Sequence, residues 1–255
     1  MAEGLASDPE GVLGLLAEMA QALDPVLARR AAAVAGRVAL RLGAAALGGA
    51  GRLRVRPGPF DAGADLDLEA SLVGLLPRGP STLGLVGRRY RPAGPALAVL
   101  VDASGSMGGA RLCTAAVCAA AVVLRAPERS AVLAFAGDVA VLRQPAQPRP
   151  AAQVVGELLA LQGHGSTDLA AGLRAARDAL ADLGSARTTV LLLSDCEHNG
   201  PGDPVAAASF AEQVAVLAPA EAPEAAQAFA RAVGGRVALV RGPLEAAAAL
   251  GALLA

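Results

Sequence analysis

From Ala96 onward, short uninterrupted apolar runs alternate with longer segments whose apolar residues recur every three or four positions. Runs of the first kind predict strands buried on both faces, and segments of the second predict amphipathic helices. Strands are expected over 97–102, 130–136, 139–143, 188–194, 214–218 and 236–240. Helices are expected over 109–125, 151–161, 168–183, 204–212, 223–233 and 243–254. Phe135-Ala136-Gly137-Asp138-Val139 reads as a tight hairpin, which makes 139–143 an antiparallel edge strand. The other strands are separated by helices and should run parallel. The expected fold class is therefore α/β, a doubly wound, Rossmann-like, mainly parallel sheet with one antiparallel edge strand and an N-terminal helical region. Ligands of such sheets bind beyond the carboxyl ends of the strands.

The first 95 residues follow other patterns. Ser7-Asp8-Pro9-Glu10 reads as a helix start with Ser7 as cap, and apolar positions from Val12 to Leu23 continue at helical spacing. Pro25 interrupts, a second helical segment spans about 26–47, and Gly48-Gly49-Ala50-Gly51 ends it. Arg52-Leu53-Arg54-Val55-Arg56 alternates like an exposed strand that Pro57, Gly58 and Pro59 should break. Asp65-Leu66-Asp67-Leu68-Glu69 alternates as well, and 75–95 is rich in Gly, Pro and Arg. The expected organisation is a helical region over 1–51, a connector packed on the main domain over 52–95, and the main domain over 96–255.

Composition narrows the function classes. The hydrophobic fraction of 54% supports a sizeable core, and a net charge of −1 argues against a general nucleic-acid or membrane-surface binder. All 22 basic residues are arginine, and isoleucine and tryptophan are absent, a bias that high-GC coding explains more simply than function does. Cys113, Cys118 and Cys196 have no spacing that suggests a disulfide framework, so a reducing, cytoplasmic setting is expected. The N-terminal residues are acidic where a signal peptide is basic. The longest apolar run, Leu112 to Leu124, is about 13 residues, well short of the roughly 20 that a spanning helix needs.

The chemistry concentrates at three strand or helix junctions. Leu97-Ala98-Val99-Leu100-Val101 leads into Asp102-Ala103-Ser104-Gly105-Ser106, placing a carboxylate and two hydroxyls on one strand-to-helix turn. Gly163-His164-Gly165-Ser166-Thr167-Asp168 puts the Thr167 hydroxyl just ahead of a helix, and Leu191-Leu192-Leu193-Ser194-Asp195 is another buried strand ending in a carboxylate. In a doubly wound sheet these loops open on the same edge. Hard oxygen groups suit Mg2+, with Mn2+ or Ca2+ as alternatives. The competing reading is that Asp102 and Asp195 only cap helices and satisfy loop amides.

Other chemistry fits less well. A P-loop needs a lysine against the phosphates, and the chain has none. Ser104 or Ser106 on a strand-turn-helix resembles a nucleophile elbow, but the flanking glycines do not fit and only His164 and His198 could serve as base. Cys196-Glu197-His198 beside Asp195 hints at zinc, although loop polarity explains it more simply. Asp65, Asp67 and Glu69 are expected as an acidic exposed strand face rather than a second cation site. Arg78, Arg88, Arg89 and Arg91 are expected in a solvated linker.

The D-x-S-x-S stretch at Asp102, Ser104 and Ser106, followed by Thr167 and Asp195, resembles the metal-ion-dependent adhesion site of von Willebrand factor A domains over residues 97 to about 240. The resemblance implies that the Ser104 and Ser106 hydroxyls bind the cation directly, with Thr167 joining when a ligand is engaged. Asp102 and Asp195 would act largely through water. An ion held mainly by neutral hydroxyls stays electron-poor and attracts an outside carboxylate, so a partner's Asp or Glu would complete the octahedron. The Asp65–Leu72 segment, the Arg-rich stretch and Arg91-Pro92 shortly before Leu97 look like the CoxE-type bacterial proteins, with Ala70-Ser71-Leu72 where that group carries Thr-Leu-Arg. CoxE-type proteins are typically encoded with MoxR-type AAA+ ATPases. The resemblance therefore implies a non-enzymatic, cytoplasmic adaptor between such an ATPase and a client whose maturation or metal insertion it assists. A cell-surface adhesin and a serine hydrolase are the alternatives.

Overall fold

The computed structural model describes residues 8, 11–12, 15, 53–60, 65–75, 85–92, 95–145, 147, 149–161, 165–183 and 187–254. These fall into two compact units, a small one within Ala50–Gly94 and a large one containing Pro95–Ala255. The expected second helix over 26–47 and its glycine terminator lie outside the described residues.

The large unit is built on a six-stranded sheet. Its strands are β4 (Ala96–Asp102), β5 (Ser130–Phe135), β6 (Val139–Arg143), β7 (Thr188–Leu193), β8 (Gln213–Pro219) and β9 (Arg236–Val240). The strand order is β6-β5-β4-β7-β8-β9, with every pairing parallel except β5 with β6. The hairpin and antiparallel edge expected from Phe135–Val139 are both present. The helices are α2 (Ala110–Arg125), α3 (Ala151–Leu159), α4 (Leu169–Leu180), α5 (Pro204–Ala207), α6 (Glu224–Ala232) and α7 (Pro243–Leu253).

Every residue of β4 is buried, because helices cover both faces of the sheet. Leu97, Val99 and Val101 pack with α2, α3 and α7, while Ala96, Ala98 and Leu100 pack with α4 and α6. This two-sided burial explains the uninterrupted apolar run in the sequence. From β4 the chain goes first to β5 on one side and later to β7 on the other. The carboxyl end of β4 is thus a topological switch point, where loops diverge and leave a crevice.

Several local expectations need correction. Segment 204–212 forms only one short α-helix and a 3-10 turn to Phe210, because the Glu212 N–H is taken by Thr188 O as β8 joins the sheet. At the N-terminus, the cap is Asp8 rather than Ser7, since Asp8 Oδ1 accepts from the Gly11 N–H at 2.9 Å.

In the small unit, β1 (Leu53–Pro59) runs straight through Pro57 and Pro59, β2 is Asp65–Leu66, α1 is Leu68–Leu75 and β3 is Val86–Pro92. The order β1-β3-β2 puts β1 at an edge, where proline's missing N–H leaves no ladder bond unmade. Of the alternating acidic stretch only Asp65 lies on an exposed strand, and Glu69 falls in α1. Asp67 is buried, caps α1 through the Ala70 N–H at 3.1 Å and takes two hydrogen bonds from Arg88. Those Arg88 bonds, more than any other contact, hold the Asp67 carboxyl below its usual range. Arg88 and Arg89 accordingly belong to a strand, not a linker, and Arg89 and Arg91 stand opposite Arg56 and Arg54.

Close packing of α4 on β5 gives a direct test. A Cβ on Gly172 would lie 3.0 Å from Phe135 Cγ and 3.2 Å from its Cβ. Gly172→Ala should therefore destabilise the protein by about 1–3 kcal/mol despite alanine's better helix propensity. Urea denaturation measures it, and an unchanged or higher midpoint would contradict this packing.

Candidate metal centre

The switch point gathers the oxygen groups singled out in the sequence. Asp102 closes β4 and is fully buried. Its Oδ1 accepts from the Ser104 N–H at 2.8 Å, and its Oδ2 accepts from the Ser194 hydroxyl at 2.5 Å. Ser104 is also buried, and its hydroxyl lies 3.1 Å from that of exposed Ser106. A 3-10 turn over Gly105–Met107 follows, and Gly109 enters α2 with φ +64°, a left-handed conformation that favours glycine.

Asp195 follows β7 at 1% exposure, with Oδ1 accepting from the Glu197 N–H at 3.2 Å. Cys196 beside it holds φ +62°, an uncommon backbone state for a side-chain-bearing residue. Its N–H donates to the Ser194 hydroxyl at 2.8 Å, so Ser194 joins the Asp195 loop to Asp102.

Thr167 stands ahead of α4, and the loop after β7 fixes it. Its N–H donates to Asn199 Oδ1 at 2.7 Å, and its carbonyl accepts from the Asn199 and Gly200 N–H groups, each at 3.1 Å. Gly200 approaches so closely that a Cβ there would sit 2.6 Å from Asp168 Cβ. Asp168 caps α4 by accepting from the Ala171 N–H at 2.8 Å. The Asp168 N–H donates to Ala136 O, and the Ala103 N–H donates to neighbouring Phe135 O, each at 2.8 Å. These bonds form a closed circuit running from Asp102 through Ser194 and Asn199 to Thr167, then through the end of β5 back to Ala103.

The structure thus joins Asp102, Ser104 and Ser106 directly and ties Asp195 to them through Ser194. Thr167 enters the circuit through its backbone only. At 4% exposure its hydroxyl makes no hydrogen bond among the described residues. Sequence reasoning missed the roles of Ser194 and Asn199. Asn199-Gly200 carries a turn signal, but nothing in the spacing says which loop it clamps.

Burial pushes the Asp102 carboxyl above its ordinary range, the Ser194 and Ser104 hydrogen bonds pull against that, and the nearby Asp195 charge adds to the rise. Two buried carboxylates and three hydroxyls, all oxygen donors, fit a hard divalent cation and would gain from its charge. The zinc hint loses support. The Cys196 thiol is buried and lies within 3.9 Å of the Ser194 carbonyl oxygen. His198 is engaged by backbone groups, with Nδ1 near the Leu169 N–H and Thr167 O and Nε2 near Gly202 O. No group of three or more His, Cys, Asp or Glu side chains suited to a metal occurs among the described residues. His164 lies outside them.

Residues 37–248 match the family model described as VWA domain containing CoxE-like protein, and the chain belongs to that family. No curated protein matches it. An aerotolerance-related membrane protein from Bacteroides fragilis is similar at 20% identity and TM-score 0.50, covering 63% of this chain and 98% of that one. Proximal thread matrix protein 1 from the mussel byssus is similar at 13% identity and TM-score 0.50, covering 63% of this chain and 46% of its own. The chain thus spans less than half of the mussel protein. A von Willebrand factor type A protein from Catenulispora acidiphila is similar at 21% identity and TM-score 0.45, covering 65% of this chain and 43% of its own. At these identities the likeness is one of fold. No described helix is long and apolar enough to cross a membrane.

The Ser194 bridge makes a prediction for metal-free protein. Ser194→Ala leaves Asp102 Oδ2 and the Cys196 N–H without their partner and should cost about 1–3 kcal/mol at neutral pH. Because the folded pKa of Asp102 is raised, its charge opposes folding above that pKa, and the penalty fades as pH falls through it. The variant raises it further, so its deficit should narrow from neutral to acid pH. Urea unfolding in chelator at neutral and at acid pH measures this, and a constant or growing deficit would contradict it.

Proposed function

We propose that this VWA domain is a divalent-cation-dependent protein-binding module. Asp102, Ser104, Ser106, Thr167 and Asp195 would hold Mg2+, and a partner's Asp or Glu would supply a further oxygen. The observation carrying this reading is the all-oxygen cluster at the switch point, with Asp102 buried, its pKa raised, and the Thr167 hydroxyl without a hydrogen bond among the described residues. A bound cation supplies positive charge that offsets the two carboxylates and attracts an outside one. The chain's own part is to hold its donors in place through the Ser194 and Asn199 clamps.

Within this reading the CoxE-like family membership supports an adaptor role with a MoxR-type AAA+ ATPase, acting on maturation or metal insertion of a client protein. Residues 96–255 carry the binding site, and residues 52–95 connect it to the helical region over 1–51. Three buried cysteines with no disulfide among the described residues suit the reducing cytoplasm. The role requires no catalysis by this chain.

Ion binding is tested by thermal unfolding. Mg2+ at about 100-fold over its dissociation constant should raise Tm by roughly 5–10 °C. Asp102→Asn should abolish that rise while leaving the metal-free Tm at or above wild type, since it removes a buried charge. A full Mg2+ response in the variant would overturn the assignment. The partner is tested by co-purification with a MoxR-type ATPase in Mg2+ and ATP. Retention by wild type and loss with Asp102→Asn is expected, and equal retention by both would overturn the cation-mediated role.

A further inference from the structure

A cleft with about 330 Å³ of empty space, part of it open to solvent, lies beside the oxygen cluster on the α2 face of the sheet. Met107, Ala115, Leu193, Leu217 and Val240 supply buried apolar walls. Arg111, Glu221 and Arg241 supply charge around it. The cleft and the cluster share chain segments. Met107 directly follows Ser106, Leu193 directly precedes Ser194, and Arg111 Nη1 donates to Ser106 O at 2.8 Å. A group bound at the cluster would therefore have this cleft as its neighbour.

Size and charge describe the occupant. Five buried apolar side chains enclose a small, partly open space, which suits one aliphatic side chain rather than a cofactor. Besides its bond to Ser106 O, Arg111 meets Glu221 at 3.8 Å, and the exposed Arg241 guanidinium makes no hydrogen bond or ion pair among the described residues. Two cations against one anion leave a net positive charge that favours an acidic segment.

We infer that this cleft is a second contact for the protein partner. It takes one aliphatic side chain from within a few residues of the metal-binding Asp or Glu, and Arg241 pairs with a further carboxylate of the same acidic segment. The inference rests on the proposed metal-dependent function. It adds that recognition reads a short acidic-aliphatic sequence rather than a lone carboxylate.

The test is methyl and amide NMR on the full chain in saturating Mg2+, using two synthetic probes. One is acetyl-Gly-Ser-Asp-Leu-Glu-Ser-Gly-amide, and the other has serine in place of leucine. The leucine peptide should shift the methyls of Met107, Leu193, Leu217 and Val240, and the serine peptide should bind at least about tenfold more weakly. Ala115→Leu, which fills the cleft, should erase the difference between the peptides. Arg241→Glu, an exposed change, should weaken both, which keeps the inference testable if the first variant misfolds. Equal binding of the two peptides by wild type, or cleft methyls that stay unmoved with the peptide near its solubility limit, would overturn the inference. If Mg2+ alone leaves the Ser104 and Thr167 amides unshifted, the metal reading fails first and takes this inference with it.

Discussion

A fully buried carboxylate at the end of the central strand sets the terms for this structure. Ionised Asp102 in the interior would be strongly unfavourable unless its oxygens were bonded. The fold meets that demand with a backbone N–H from Ser104 and a hydroxyl from Ser194, one from each strand-end loop. Those two bonds also position the loops, so the group that is hardest to bury organises the crevice around it. Asp195 nearby works against this arrangement, which leaves two carboxylates close together in a region of low dielectric. Such a pair gains from a cation more than a single surface carboxylate would.

Rigidity comes from the circuit of hydrogen bonds rather than from any one contact. Consecutive carbonyls at the end of β5 hold Ala103 and Asp168, while Asn199 and Gly200 hold both sides of the Thr167 peptide. The circuit fixes backbone and leaves the Thr167 hydroxyl without a hydrogen bond among the described residues. The left-handed Cys196 is the one side-chain-bearing residue with positive φ among the described residues, and it stands beside Asp195. Strain of about 1–3 kcal/mol at such a position persists only where its surroundings enforce it. Here the Ser194 hydroxyl captures the Cys196 N–H.

Membership of the CoxE-like VWA family and the switch-point cluster describe the same region from independent directions. The family match covers residues 37–248 and so includes Asp102, Ser104, Ser106, Thr167 and Asp195. An apolar cleft adjoins the cluster on shared segments, since Met107 follows Ser106 and Leu193 precedes Ser194.

The sequence alone determined the sheet and its two helical layers. Runs such as Leu97–Val101 and Leu191–Leu193 have no stable place except between two apolar layers, and the intervening helical periods force parallel crossovers. It also placed Asp102 and Asp195, because a polar residue closing or directly following such a run has to lie at the sheet's carboxyl edge. What it misread were segments with two local solutions. Asp67 is an acceptable strand residue and a better helix cap, and segment 204–212 has helical composition that the β8 ladder overrides. Only the tertiary structure decided which loops hold one another. Ser194 reaches Asp102 across 92 residues and Asn199 reaches Thr167 across 32, and both are single polar contacts with no periodicity to reveal them. Burial leaves a repeating trace along the chain, whereas a hydrogen bond between distant loops leaves none.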